Sequence, residues 1–277
     1  MAAILREAGW RGHLELGFAR TGPRTVLARR RHHGPLLVQR PFYPEGEVCH
    51  VYLVHPPGGI VGGDELQFDA HAGEGAHALI TTPAATKFYR SPGKRAVLRQ
   101  DLQVQAGAVV EWLPQETIAF DGAHAQLSTR VHLEEDARFI GWEVLCLGRP
   151  ASRDAWLSGE LYQAIELWRD GQPLFVERSR LDGGSRVLDE AWGLAGHTVT
   201  ATLVATAADQ SDLRAVREVL AQSDATRSAA TLMDDVLAVR CLAQGAEQAR
   251  RQLQAVWTVL RPSLLGRAAV APRIWST

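Results

Sequence analysis

Apolar and polar residues alternate with a period of two through most of this chain. Leu66, Phe68 and Ala70 alternate with Gln67, Asp69 and His71, the pattern of a strand with one buried face. Ahead of them, His13 to Ala19, Thr25 to Arg31, Leu36 to Val38 and Val48 to Val54 are predicted strands, punctuated by Gly22-Pro23, Gly34-Pro35 and Pro41 to Gly46. Alternation resumes from Gly159 to Arg180, Asp182-Gly183-Gly184 marks another turn, and the pattern stays that of β structure to about residue 207.

The pattern also repeats. Gly75-Ala76, Gly107-Ala108 and Asp136-Ala137, at offsets of 32 and 29 residues, each separate an alternating strand from a more apolar one: Ala78 to Thr82, Val109 to Leu113 and Phe139 to Leu145. Asp170-Gly171 is read as a fourth copy. Turn residues between apolar runs are a hairpin signal, so local pairing accounts for each unit. Units of about 30 residues also bury their faces by stacking, as in a solenoid. The expectation is a mainly β protein, either an elongated solenoid-like (β-helical) body or a layered β sandwich, in one domain over 1–277.

Two helices are predicted in the C-terminal third. One starts at an N-cap Ser211, reaches about Ala221, and carries Leu213, Val216, Val219 and Leu220 on one face. The other runs from about Ala246 to Leu260, with Ala249, Leu253, Val256, Trp257 and Leu260 as its stripe and Pro262 as its stop. Between them Ala229 to Leu232 and Val236 to Cys241 form a strand pair. Ser263 to Thr277 drapes over the body.

The stretch Pro56-Pro57-Gly58-Gly59-Ile60-Val61-Gly62-Gly63-Asp64 is a loop of prescribed turns. Its spacing matches neither glycine-rich phosphate-binding motif, and no amphipathic helix follows. With 30 basic and 31 acidic side chains the net charge is −1, so nothing draws the whole chain to nucleic acid or an anionic membrane. Arg29-Arg30-Arg31 reads as a charged sheet edge. The longest apolar runs fall short of the ~20 residues that span a bilayer, which predicts a soluble protein. Cys49, Cys146 and Cys241 are far apart, with no C-x-x-C and no secretory signal, which predicts reduced thiols and a cytoplasmic location.

Catalytic patterns are missing. The ten histidines form no H-x-H or H-x-x-x-H pair, and there is no G-x-S-x-G. Cys146 lies in an apolar strand, as a packed thiol does. Asp64, Glu111, Glu143 and Glu177 draw more interest. Alternation alone turns each toward solvent; buried instead, each needs a partner. Several inward carboxylates along one cavity would suit a hard or borderline cation held weakly.

Six ordered blocks resemble one family. They are Pro57-Gly58-Gly59-x-x-Gly62-Gly63-Asp64; Thr81-Thr82-Pro83-Ala84-Ala85-Thr86-Lys87-Phe88-Tyr89-Arg90; Trp112-Leu113-Pro114-Gln115-Glu116 with Phe120-Asp121-Gly122; Glu143 to Arg149; Pro173-Leu174-x-x-Glu177-Arg178; and Arg261-Pro262-x-x-x-Gly266 to Pro272-Arg273-Ile274-Trp275-x-Thr277. Together they are similar to the urease accessory proteins UreD, called UreH in some bacteria. The resemblance implies a non-enzymatic nickel-insertion chaperone in urease metallocentre assembly. It implies binding to apo-urease on one side and to UreF on the other, with the GTPase UreG recruited through UreF, and a water-filled passage conducting Ni²⁺. The alternative is a scaffold that positions UreF and UreG without carrying nickel. By motif position, Asp64, Glu143 and Glu177 are the expected carboxylates of the nickel path. Trp257, Arg273 and Trp275 are the expected partner contacts. No tightly bound cofactor is implied, only Ni²⁺ in transit.

Overall fold

The computed structural model describes residues 9–149, 152, 154–223 and 225–276. In chain order its strands are β1 (Arg11–Thr21), β2 (Arg24–His33), β3 (Leu37–Val38), β4 (Cys49–Val54), β5 (Glu65–Ala72), β6 (His77–Thr81), β7 (Thr86–Phe88), β8 (Ala96–Val104), β9 (Val109–Trp112), β10 (Thr117–Ala119), β11 (Ala123–Leu133), β12 (Arg138–Leu147), β13 (Gly159–Arg169), β14 (Gln172–Asp182), β15 (Val199–Ala205), β16 (Thr226–Met233) and β17 (Val236–Ala243). The helices are α1 (Arg186–Asp189), α2 (Gln210–Leu220) and α3 (Ala246–Leu265), followed by a 3₁₀ turn at Arg273–Ser276.

Two sheets stack face to face. The first runs β14-β13-β11-β8-β5-β1-β2; the second runs β16-β17-β15-β12-β9-β6-β4-β3, with β10 paired to β12 and β7 to β10. The repeated units explain the stacking. In each, the glycine or acidic turn carries the chain from the first sheet to the second, so β5, β8 and β11 pair in parallel in one sheet and β6, β9 and β12 in the other. Successive turns stack as well: Val109 N–H donates to Ala76 O at 2.7 Å and Arg138 N–H to Ala108 O at 2.9 Å. The hairpin expectation is therefore corrected for three of the four units. Two strands joined across sheets cannot pair with each other, and each finds its partner in the next unit. Of the four, Asp170-Gly171 alone closes a true hairpin, between β13 and β14. Solenoid-like stacking and a layered β body thus describe the same object.

Two apolar layers result. One, with Leu14, Phe68, Leu102, Val131, Ile80 and Phe139, lies between the sheets. The other, with Leu79, Ile140, Trp142, Val144, Leu253 and Trp257, lies between the second sheet and helices α2 and α3. The middle of the second sheet consequently has no solvent face. On β12 the odd positions Phe139, Leu145 and Leu147 face the first sheet, while Ile140, Trp142, Val144 and Cys146 face the helices.

The helix ends differ from their expected places. Asp209, not Ser211, caps α2: its carboxylate accepts from Ser211 N at 2.6 Å and Asp212 N at 3.1 Å, and the Asp212 side chain answers to Asp209 N. Pro262 does not stop α3. The helix continues to Leu265 and ends at Gly266, whose φ of 65° is the left-handed cap conformation. Burial of Leu260, Arg261 and Leu264 around the proline outweighs the hydrogen bond that its ring denies the preceding turn. The three cysteines are buried and unpaired, and burial pushes the Cys146 thiol up to about 12, in keeping with packing. Strand β2, with its arginine run exposed, is an outer strand of the first sheet, as expected. Among the described residues no helix is long and apolar enough to cross a membrane.

Candidate functional site

A belt of polar side chains crosses the layer between the sheets. Glu143 sits at an odd position of β12 and points into that layer. Its registered neighbour on β15 is Thr202, and the neighbour of Thr202 on β17 is Arg240. The first sheet supplies a matching row, with Gln100, Thr129, Ile165 and Glu177 in register across β8, β11, β13 and β14.

Hydrogen bonds join the two rows. Thr129 Oγ1 lies 2.6 Å from Glu143 Oε1 and 2.7 Å from Gln100 Oε1, and its single proton serves one of them at a time. Trp112 Nε1 donates to the same Glu143 oxygen at 3.1 Å. Farther along, Thr202 Oγ1 donates to Glu177 Oε1 at 2.9 Å, and Arg240 holds Glu177 Oε2 through Nε at 2.6 Å and Nη2 at 2.5 Å. Gln100, Thr129, Glu143 and Thr202 are buried, whereas the side chain of Glu177 is 27% exposed and that of Arg240 51%. The belt therefore starts in the interior and surfaces where β14 and β17 meet.

At its inner end the belt opens on a cavity of about 140 Å³ whose lining includes His55, Lys87, Gln100, Trp112, Thr117 and Glu143. Burial raises the Glu143 carboxyl above the ordinary glutamate range, and the hydrogen bonds from Thr129 and Trp112 only partly offset it. Burial likewise lowers His55, against the opposing charge of Asp64. Alternation alone would turn Glu143 toward solvent. The sheet that carries it is covered on both sides, so alternation offered it no water.

Asp64 lies outside the belt. Its Oδ1 accepts from Trp10 N at 2.8 Å and its Oδ2 from Val61 N at 3.0 Å, which closes the glycine loop and ties the start of β1 to it. The loop needs glycine because it presses on the segment after β7. A Cβ on Gly59 would stand 2.1 Å from the Tyr89 ring, and one on Gly62 would stand 2.0 Å from Ser91 Oγ. Of the expected path residues, the fold links Glu143 and Glu177 through Thr202 and leaves Asp64 at a loop end. No three His, Cys, Asp or Glu side chains among the described residues converge as a metal site.

A second polar group lies on the other face of the second sheet, under α3. Arg261, fully buried, holds Glu111 through Nε at 3.1 and 3.0 Å and Glu45 through Nη1 and Nη2 at 2.7 and 2.8 Å. His77 and Trp257 also bond Glu111, each at 2.7 Å, and His50 bonds Glu45 at 2.6 Å. Burial pushes Glu111 up, but His77 and Arg261 outweigh it and hold the carboxyl down to about 2. This cluster fastens α3 to the sheet.

The expected partner contacts separate. Trp257 is 1% exposed and belongs to the core, where it presents no surface. Trp275 is half-buried against Trp142 and Trp257, with Nε1 on Thr81 Oγ1 at 3.0 Å. Arg273 is exposed. Sequence reasoning passed over Gln100, Thr129, Thr202 and Arg240, and gave Arg261 of the sixth block no role of its own. The available signal was a polar residue in the apolar phase of a strand: Thr129 between Leu127 and Val131, and Gln100 between Leu98 and Leu102.

Comparison with known proteins gives a consistent result. The UreD urease accessory protein family profile matches residues 10–276. Proteins named urease accessory protein UreD share 50% identity in Azoarcus sp. (strain BH72), over 98% of this chain and 95% of the relative, and 46% in Klebsiella aerogenes, over 97% of each. The namesake in Citrobacter koseri is 46% identical over 97% of this chain and 92% of the relative.

Proposed function

The chain belongs to the UreD family of urease accessory proteins, and from that premise we propose that it conducts Ni²⁺ to the urease active site during maturation. In this reading it is a cytoplasmic chaperone without bond-making chemistry. It engages apo-urease and UreF, with UreG brought in through UreF. The observation that carries the proposal is the polar belt from the 140 Å³ cavity through Glu143 and Thr202 to Glu177, in a layer that is mostly apolar.

A polar row through a core is costly unless its members are paired or serve a passing ligand. The chemistry of the row suits transit: hydroxyl, amide and carboxylate oxygens form a sparse set of hard-to-borderline donors that binds a divalent cation weakly. Weak, multiple sites let an ion enter and leave, where a closed set of three or four donors would trap it.

Replacing Glu143 and Glu177 singly by alanine tests the reading. Loss of urease activation with the accessory complex still formed is the expected result. Unimpaired activation by both variants sinks it in favour of a scaffold that positions UreF and UreG. That alternative takes its support from the lack of three converging His, Cys, Asp or Glu side chains among the described residues and from Ile165, which interrupts the row in the first sheet.

A further inference from the structure

The belt ends on a cation of the protein's own. Glu177 is the carboxylate at its exposed end, and both of its oxygens are occupied: Oε1 by the Thr202 hydroxyl, and Oε2 by two nitrogens of Arg240. Arg240 reaches Glu177 across the opening between the two sheets, from β17 of the second to β14 of the first. Its guanidinium lies 5.9 Å from the Phe175 ring centroid, so the side chain is seated as well as paired. A divalent ion moving along the belt arrives where a fixed positive charge already sits. A second cation brought to that carboxylate is repelled by the guanidinium and finds both oxygens engaged.

We propose that Arg240 is the gate of the belt, a removable counter-ion that withholds Glu177 from metal until the guanidinium is drawn away. The proposal rests on the conduction reading above and adds its regulation. Two features make Arg240 suited to the task. Its side chain is half exposed, so it can swing outward without opening the core, unlike the fully buried Arg261. Its hold on Glu177 is an ion pair at a rim, where solvent screens the attraction. A carboxylate on a docking partner, presented at the junction of β14 and β17, is chemistry sufficient to take the guanidinium over. Glu177 is then left with Thr202 beside it and Glu143 behind, a neutral and two anionic oxygen donors in sequence.

The test measures metal binding by the purified full-length chain, with Ni²⁺ as the titrant near neutral pH in a calorimeter. Arg240→Gln is expected to gain a Ni²⁺ site at least about tenfold tighter than any wild-type site. Adding Glu177→Gln to that variant is expected to abolish the gain. Arg240→Lys, which keeps a charge but loses the two-nitrogen grip, is expected to fall between, and covers the case in which the glutamine variant does not fold. Binding by Arg240→Gln equal to wild type overturns the gate, as does a gained site that survives Glu177→Gln. Failure of the gate is separable from failure of the route. If Glu143→Ala abolishes urease activation while Arg240→Gln gains no site, the gate is wrong and the route stands. If Glu143→Ala and Glu177→Ala both activate normally, the route falls and takes the gate with it.

Discussion

Replacing Glu111 by glutamine removes one negative charge from the layer beneath α3 and leaves the side chain's shape intact. In the fold the carboxyl is held at about 2 against 4.5 for an ordinary glutamate. That difference corresponds to about 3 kcal/mol of stability. The sign follows from the direction. A carboxylate whose folded value is depressed contributes fully above 4.5 and loses its contribution as pH falls toward 2. Glutamine mimics the protonated form, so the variant should be less stable by about 3 kcal/mol at neutral pH, and the gap should shrink below pH 4.5. A second route agrees: removing one partner of a buried ion pair costs about 3–5 kcal/mol. For a chain of this size that is a fall in Tm of very roughly 6–10 °C. Urea unfolding followed by tryptophan fluorescence is a suitable assay, because Trp257 donates directly to Glu111. A difference under about 1 kcal/mol at neutral pH, or one that is the same at neutral and acid pH, would refute the reasoning.

Other outcomes follow from the same geometry. Glu143→Gln should stabilise the protein at neutral pH, because burial raises this carboxyl and its ionisation opposes folding; the gain should disappear below the unfolded value, and a variant less stable at neutral pH contradicts this. The same variant should lose urease activation, so stability and function move in opposite directions. Gly62→Ala should cost about 1–3 kcal/mol, since its Cβ would meet Ser91 Oγ and the Lys94 carbonyl; an unshifted denaturation midpoint would show that the loop yields freely. Asp209→Ala should cost about 1 kcal/mol in the same assay and Ser211→Ala less, and the reverse order would restore Ser211 as the cap.

Much of the architecture was legible in the chain because strand alternation and turn residues are local properties. The period of two along β5 and β11, the turns near Gly75, Gly107 and Asp136, and the stripe of α3 all emerge in place. The six blocks carried the family. Which strand pairs with which was not local: the three turns look like hairpin turns, yet each carries the chain across to the other sheet.

The site divides along the same line. Glu143 stood out within an apolar strand and Glu177 after an apolar run, but Thr202 joins them only because β12 and β15 pair in one register. Glu111 and Glu143 alternate as solvent-facing residues do. Their burial was decided by helices and a second sheet that cover both faces of their strands. A single chain records which side of a strand a residue occupies. What lies against that side, water or another layer, is fixed by segments as far away as Arg261, and that choice holds the Glu111 carboxyl down and pushes the Glu143 carboxyl up.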